Sequence, residues 1–205
     1  MLNLPFNHTV TIIIITVIIS LMAFSNQTIM NRLTFWPPAM QKGQYDRFIT
    51  YGFVHGNGIH LLFNMITLFF FGSIIEYFYR QYFYNLGFVL FYLGALIFAI
   101  FPNYLKHKND VYWESLGASG AVSAVVFAYI LFDPWKLIFF FFIPIPAIIF
   151  AVLFTAYSLW AAKKGNSNID HNAHLWGAAY GVIMTIIIEP RIVQHFLSKL
   201  SQLPF

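Results

Sequence analysis

Among the polar side chains inside or at the edge of long apolar runs, four could do chemistry: His60, Asn64, Ser119 and His174. A polar group in apolar surroundings is costly unless it is paired or hydrated, so each needs a structural or a chemical reason. Ser119 stands in Gly117-Ala118-Ser119-Gly120, where a polar loop turns into an apolar segment. Glycine lets the backbone approach a substrate closely and hold an unusual turn. A helix N-terminus offers unpaired N–H groups where an oxyanion would develop. Small residues such as Gly117, Gly120, Ala121 and Ala124 would equally serve close helix packing. The G-x-S-G pattern matches a nucleophile elbow only superficially, because the strand that such an elbow requires is absent.

His174 is followed by Gly177 and Gly181, an H-x-x-G-x-x-x-G pattern. Those glycines would let its helix press against the one that begins at Ser119 and bring the imidazole to the hydroxyl. A neutral imidazole, with an ordinary pKa near 6.5, can accept a serine proton at pH 7. His60 and Asn64, four residues apart, share one helical face, and both can donate hydrogen bonds towards a bundle interior. Bonds to a neighbouring helix's carbonyls would explain that pair as well. Taken together the residues describe acyl transfer: Ser119 as nucleophile, His174 as base, and His60, Asn64 and the Ser119 backbone N–H as oxyanion donors. No acid lies deep in a span beside His174, and Asp170 falls in the loop before it. A Ser-His dyad is the economical reading.

Six apolar segments must position these groups, at about 9–24, 59–78, 83–101, 117–132, 144–162 and 172–189. β-branched runs such as Thr11 to Ile19 would favour strand in water. In a bilayer the backbone must satisfy itself, which makes helix the default. The pattern predicts an all-α polytopic bundle of six helices, the fourth short, in one domain over residues 1–205. Residues 25–58, with Trp36-Pro37-Pro38, read as an ordered interfacial connection. Residues 135–143 read either as the start of the fifth helix or as a short segment along the membrane surface. A break is expected near Ile143 and Ile145, because a residue before proline avoids helix.

Only 9% of residues are charged and 60% are hydrophobic. A soluble domain carries roughly a quarter charged residues, so most of this surface faces lipid. The eleven Lys and Arg are scattered through loops, as lipid head-group anchors are, with no nucleic-acid footprint. The absence of cysteine excludes disulfides, thiolate metal sites and cysteine catalysis. The first apolar stretch lacks a basic leader and a small-residue cleavage site, which predicts a retained span. With the N-terminus inside, Arg32, Lys42, Arg47, Lys106, Lys108, Lys163 and Lys164 lie outside, against Arg80, Lys136, Arg191 and Lys199 inside. The positive-inside rule favours the reverse orientation.

At this point the sequence resembles bacterial rhomboid proteases of the GlpG type, in the form of the six-helix core, from about residue 30 to 190. The resemblance is carried by Arg47 to His55 (RFITYGFVH), His60 to Asn64 (HLLFN), Gly117 to Ala121 (GASGA) and Ala173 to Gly181 (AHLWGAAYG). It implies hydrolysis of a peptide bond in or near a substrate's transmembrane segment by Ser119 and His174, with His60 and Asn64 at the oxyanion hole and His55 in a structural role. It implies no cofactor and no metal, membrane-protein substrates, and a cell inner membrane location. Both termini would be cytoplasmic, against the charge rule, with the site opening to the outer face. It also implies a fourth helix starting below the surface, and a gate formed by the fifth span or the loop near 162–171. Two positions depart from the family pattern. Asp46-Arg47 stands where Trp-Arg is common. Ser123 stands where a tyrosine often stacks on the catalytic histidine, so another group must orient His174.

Other readings remain. His55, His60, His171 and His174 could ligate haem or zinc, although there is no H-E-x-x-H and no carboxylate cluster. A rhomboid-like scaffold could bind transmembrane helices without cutting them. No span contains the aspartate pair that aspartyl proteolysis needs. Substrate identity and oligomeric state are not encoded in any of these features.

Overall fold

The Val-, Ile- and Thr-rich run near the N-terminus forms a helix, α1 (His8–Ser25), with the Asn7 side chain capping it by accepting from the Val10 N–H. In lipid, propensity yields to backbone self-satisfaction. The computed structural model describes residues 7–140, 143–164 and 169–202. After α1 come three short helices, α2 (Gln27–Leu33), α3 (Pro37–Met40) and α4 (Arg47–Thr50), and a 3₁₀ turn at Tyr51–Phe53. The larger helices that follow are α5 (Gly58–Tyr79), α6 (Gly87–His107), α7 (Ser119–Phe132), α8 (Ala147–Lys164) and α9 (His171–Ile188); α10 (Ile192–Ser201) closes the described chain.

The all-α membrane bundle expected from the sequence is borne out. α1, α5, α6 and α8 are each long and apolar enough to cross a bilayer, and α9 with α10 makes a fifth such element, bent by 113°. α7 is apolar but only 14 residues long. Large apolar side chains such as Ile14, Ile18, Phe69 and Phe70 face outwards. The buried centre mixes small residues such as Ala95, Ala121 and Ala124, which let helices approach closely, with large ones such as Leu68, Ile75, Phe88 and Tyr92.

Three boundaries differ from the sequence reading. The third helix begins at Gly87, not near 83, because residues 83–85 form a turn with positive φ. It then runs through Pro102 to His107, so the expected polar loop starts later. A proline inside a membrane helix is tolerated where neighbours re-satisfy the backbone. The third difference is in the stretch read as either the start of the fifth helix or a short surface segment: Leu137–Phe140 is strand, so the first of those readings does not hold, and the break expected near Ile143 and Ile145 is there. β1 (Leu137–Phe140) and β2 (Ile143–Pro146) pair antiparallel, with Ile138 opposite Ile145, and helix resumes only at Ala147. Pro144 and Pro146 hold that chain extended. Residues 141–142 of this stretch, and 165–168 of the loop named as a candidate gate, lie outside the described residues.

The long first connection is ordered. Phe35 is fully buried, with the rings of Phe48, Tyr51, Tyr104 and Trp113 edge-on around it at 5.1 to 6.3 Å. Its backbone pairs with Ser115. Buried Arg47 donates to Gln44 Oε1 and to the carbonyls of Asn31 and Thr34. Asp46 takes an exposed ion pair from Arg32 at 2.8 Å. α1 is tied at both ends. Glu76 of α5 accepts from the His8 and Thr9 N–H groups and the Thr9 hydroxyl, and Ser20 meets Phe53 and His55.

Candidate active site

Ser119 is the first residue of α7, and Gly117 before it has φ +111, a conformation that side-chain-bearing residues rarely adopt. The turn is held from three sides. The Gly117 N–H donates to the Tyr51 carbonyl at 2.9 Å. The His60 ring packs over Gly117 so closely that an added Cβ would come within 2.6 Å of it. The Ala118 N–H donates to His55 Nε2 at 3.3 Å.

The histidine tautomer follows from its neighbours. Ser20 gives its single hydroxyl hydrogen to the Phe53 carbonyl, so the 2.9 Å contact between Ser20 Oγ and His55 Nδ1 is donated by the ring. Nδ1 then carries the proton and Nε2 accepts from Ala118. Burial, with His60 beside it, pushes the His55 pKa down to about 3, in keeping with a neutral ring.

α9 reaches α7 through its glycines. A Cβ at Gly177 would lie 2.0 Å from the Gly120 carbonyl oxygen, and one at Gly181 would lie 2.1 Å from that of Ala124. Both are far inside contact distance, so only glycine admits this approach. One turn earlier on α9, His174 Nε2 comes to 2.7 Å from Ser119 Oγ. That is the length of a good hydrogen bond, and a neutral ring protonated at Nδ1 would accept it from the serine hydroxyl. The His174 ring is lined by Phe154 of α8, near-parallel at 5.8 Å and 24°, and by His171, edge-on at 5.8 Å and 81°.

His60 and Asn64 sit on one face of α5, as their spacing implies. The His60 ring lies against Gly117, and edge-on to His55 at 5.0 Å. Asn64 is buried and donates from Nδ2 to the His60 carbonyl at 3.0 Å. Ser119, His174 and His60 are thereby brought together around the 117–119 turn, whereas the Asn64 bond in the described structure is to its own helix. The four histidines weighed as ligands do not converge on one point: among the described residues no group of three or more His, Asp or Glu side chains could hold a metal ion.

Asp170 does more than a loop position suggested. Its carboxylate accepts from Asn103 Nδ2 on both oxygens, at 2.6 and 2.7 Å, from the Ser115 hydroxyl at 3.1 Å, and from the Ala173 N–H at 3.0 Å. One side chain therefore joins the end of α6, the strand-like approach to Ser119 and the first turn of α9. The signal in the sequence was an aspartate directly before an apolar helix, the N-cap pattern.

Comparison with known proteins agrees with this architecture. The Rhomboid domain family model matches residues 42–191, which hold every residue of the site. A mitochondrial RHOMBOID-like protein 12 from Arabidopsis thaliana is similar, 31% identical over 177 residues that cover 78% of this chain and 51% of the relative. The chain thus spans about half the length of that curated relative. An all-α membrane bundle that the family model matches over most of its length, this chain belongs to the rhomboid family.

Proposed function

We propose that the protein is an intramembrane serine endopeptidase that hydrolyses a peptide bond in or near the transmembrane segment of membrane-protein substrates. The observation that carries this reading is the 2.7 Å contact between Ser119 Oγ and His174 Nε2. Ser119 attacks the scissile carbonyl while His174 takes its proton and returns it to the leaving amine; water, deprotonated by the same imidazole, then attacks the Ser119 ester, releasing the acid and restoring the hydroxyl. The oxyanion faces the Ser119 backbone N–H and the His60 ring. Asn64 Nδ2 carries two hydrogens, so its bond to His60 leaves one for the oxyanion.

The length of α7 supports chemistry below the membrane surface. Fourteen residues rise ~21 Å, short of the ~30 Å hydrocarbon thickness, so a helix ending at one face starts inside the layer. Polar side chains at the starts of α5 and α9 make that depth wet enough for hydrolysis. A cell inner membrane location of the bacterial type, cytoplasmic termini and a site opening to the outer face belong to the same proposal. Reporter fusions at each end would test the orientation.

Purified protein in detergent, without added metal, is expected to cut a model single-span substrate. Ser119→Ala and His174→Ala, both folded, are expected to leave it intact. Cleavage by Ser119→Ala at the wild-type rate would overturn the mechanism. Retained binding with no cleavage by the wild type would support a helix-binding scaffold instead.

A further inference from the structure

The contact between His174 and Ser119 fixes one atom of the imidazole, not its plane. A ring that pivots about that nitrogen turns its lone pair away from the hydroxyl, and productive geometry tolerates only ~10–20°. Two groups line the ring: the edge of His171, from the same helix, and the face of Phe154, from α8. Ser123, one turn after Ser119 on α7, carries no ring that could share the task.

The two helices that meet His174 differ in how firmly they are held. α7 and α9 are locked backbone to backbone at Gly120–Gly177 and Ala124–Gly181. α8 buries only Ala147, Ala151, Ser158 and Ala161 of its eighteen residues. Two ring contacts join it to α9 among the described residues: Phe154 on His174, and Tyr157 edge-on to His171 at 5.4 Å. Phe154 is itself braced by Phe127 of α7 and Phe150 one turn before it, each at 5.6 Å. A displacement of α8 would remove the support of the base without moving the Ser119 and His174 backbones.

We propose that Phe154 is a positioning residue for His174, and that α8, by carrying it, couples its own seating on the bundle to the orientation of the base. The inference rests on the Ser119–His174 reading. It makes α8 more than a wall of the site. While α8 is displaced the base is loosened, and the dyad is aligned again only when the helix reseats.

The test compares Phe154→Leu, which keeps most of the volume but loses the ring, with Phe154→Tyr, which keeps the ring. Substrate cleavage and Ser119 labelling by a small fluorophosphonate are measured in detergent beside the wild type. Phe154→Leu is expected to lower kcat and the labelling rate about tenfold with KM little changed, and Phe154→Tyr to stay near the wild type. An unchanged kcat in Phe154→Leu would overturn the proposal. So would equal loss in both variants, which would assign the effect to the shape of the pocket.

A second readout does not depend on turnover. In a Ser119→Ala background with histidine labelled at Cε1, the His174 ring signal, assigned by its loss in His174→Gln, is expected to carry a ring-current displacement. The displacement should vanish with Phe154→Leu and persist with Phe154→Tyr. If the wild type neither cuts nor labels, the endopeptidase reading falls, while this signal still decides whether Phe154 holds the ring; an insensitive signal would sink the inference alone.

Discussion

His174 and Gly177 stand one turn apart on α9, and the glycine lies so near Gly120 that a Cβ there would fall 2.0 Å from its carbonyl oxygen, while the histidine reaches Ser119 at 2.7 Å. Backbone approach at one point sets side-chain approach at the other. The Ser119–His174 contact is therefore a property of the helix seam as much as of the two residues that make it.

Gly177→Val and Gly181→Val are expected to force α7 and α9 apart. Overpacking of this kind costs about 1–3 kcal/mol, and here it also lengthens the Ser119–His174 contact. A lowered melting temperature together with near-complete loss of cleavage would agree. Wild-type activity in either variant would show that the seam does not set the dyad.

Asn64→Ala is expected to lower the rate without abolishing it. One oxyanion donor is worth roughly 3–4 kcal/mol, and the His60 ring and the Ser119 N–H remain. The loss should appear in kcat more than in KM, because the donor meets charge that develops only in the transition state. Full activity would remove Asn64 from the oxyanion hole and leave its bond to the His60 carbonyl as its whole role.

Asp170→Ala is expected to do two things that Ser119→Ala does not. It orphans the Asn103 amide and the Ser115 hydroxyl and removes the cap of α9, at about 1–3 kcal/mol. It also frees the approach to Ser119, so labelling by a fluorophosphonate should slow. Thermal unfolding and labelling rate, measured on the same samples, check both effects. A variant as stable and as fast as the wild type would reduce Asp170 to a surface cap.

Neighbouring residues in the first connection should respond very differently. Arg47→Ala breaks three bonds of a buried cation and is expected to loosen residues 26–53, read as protease sensitivity in that stretch. Asp46→Ala removes only an exposed pair and should cost less than about 1 kcal/mol. The hydrogen bond from Arg32 holds the Asp46 carboxyl below the usual carboxylate range. Its small contribution is complete above the unfolded value of ~3.9 and is lost as pH falls through the lowered folded value. Stability near neutral pH should therefore be insensitive to this pair, and a marked loss between pH 8 and 6 on Asp46→Ala would contradict the assignment.

Ser119, His174, His60 and Asn64 were legible because a polar residue within an apolar run is conspicuous. The same contrast hid others. Phe154 is one of 25 phenylalanines, and nothing in its spacing sets it apart from those that face lipid. Asp170 lies among polar neighbours, where an acid attracts no notice until the partners it gathers from α6 and the 115–117 approach are seen. The β1–β2 pair was left open between helix start and surface segment because Leu137 to Phe140 is apolar enough for either helix or strand, and only its pairing with the proline-stiffened 143–146 stretch decides between them.

The bonds that tie α1 carry a consequence for biogenesis. Glu76 and Thr9 are 67 residues apart, and Ser20 and His55 are 35 apart, so each end of the first helix waits for a partner the ribosome has not yet made. Threading α1 into lipid alone leaves the hydroxyls of Thr9 and Ser20, buried in the finished protein, without those partners. Delivering α5 alone leaves Glu76, buried in the finished protein, without its three donors on α1 and with only Arg80, one turn on, as a charged partner. The two helices therefore profit from leaving the insertion machinery as a pair, joined by a threonine and a glutamate at the end of α5 remote from His60.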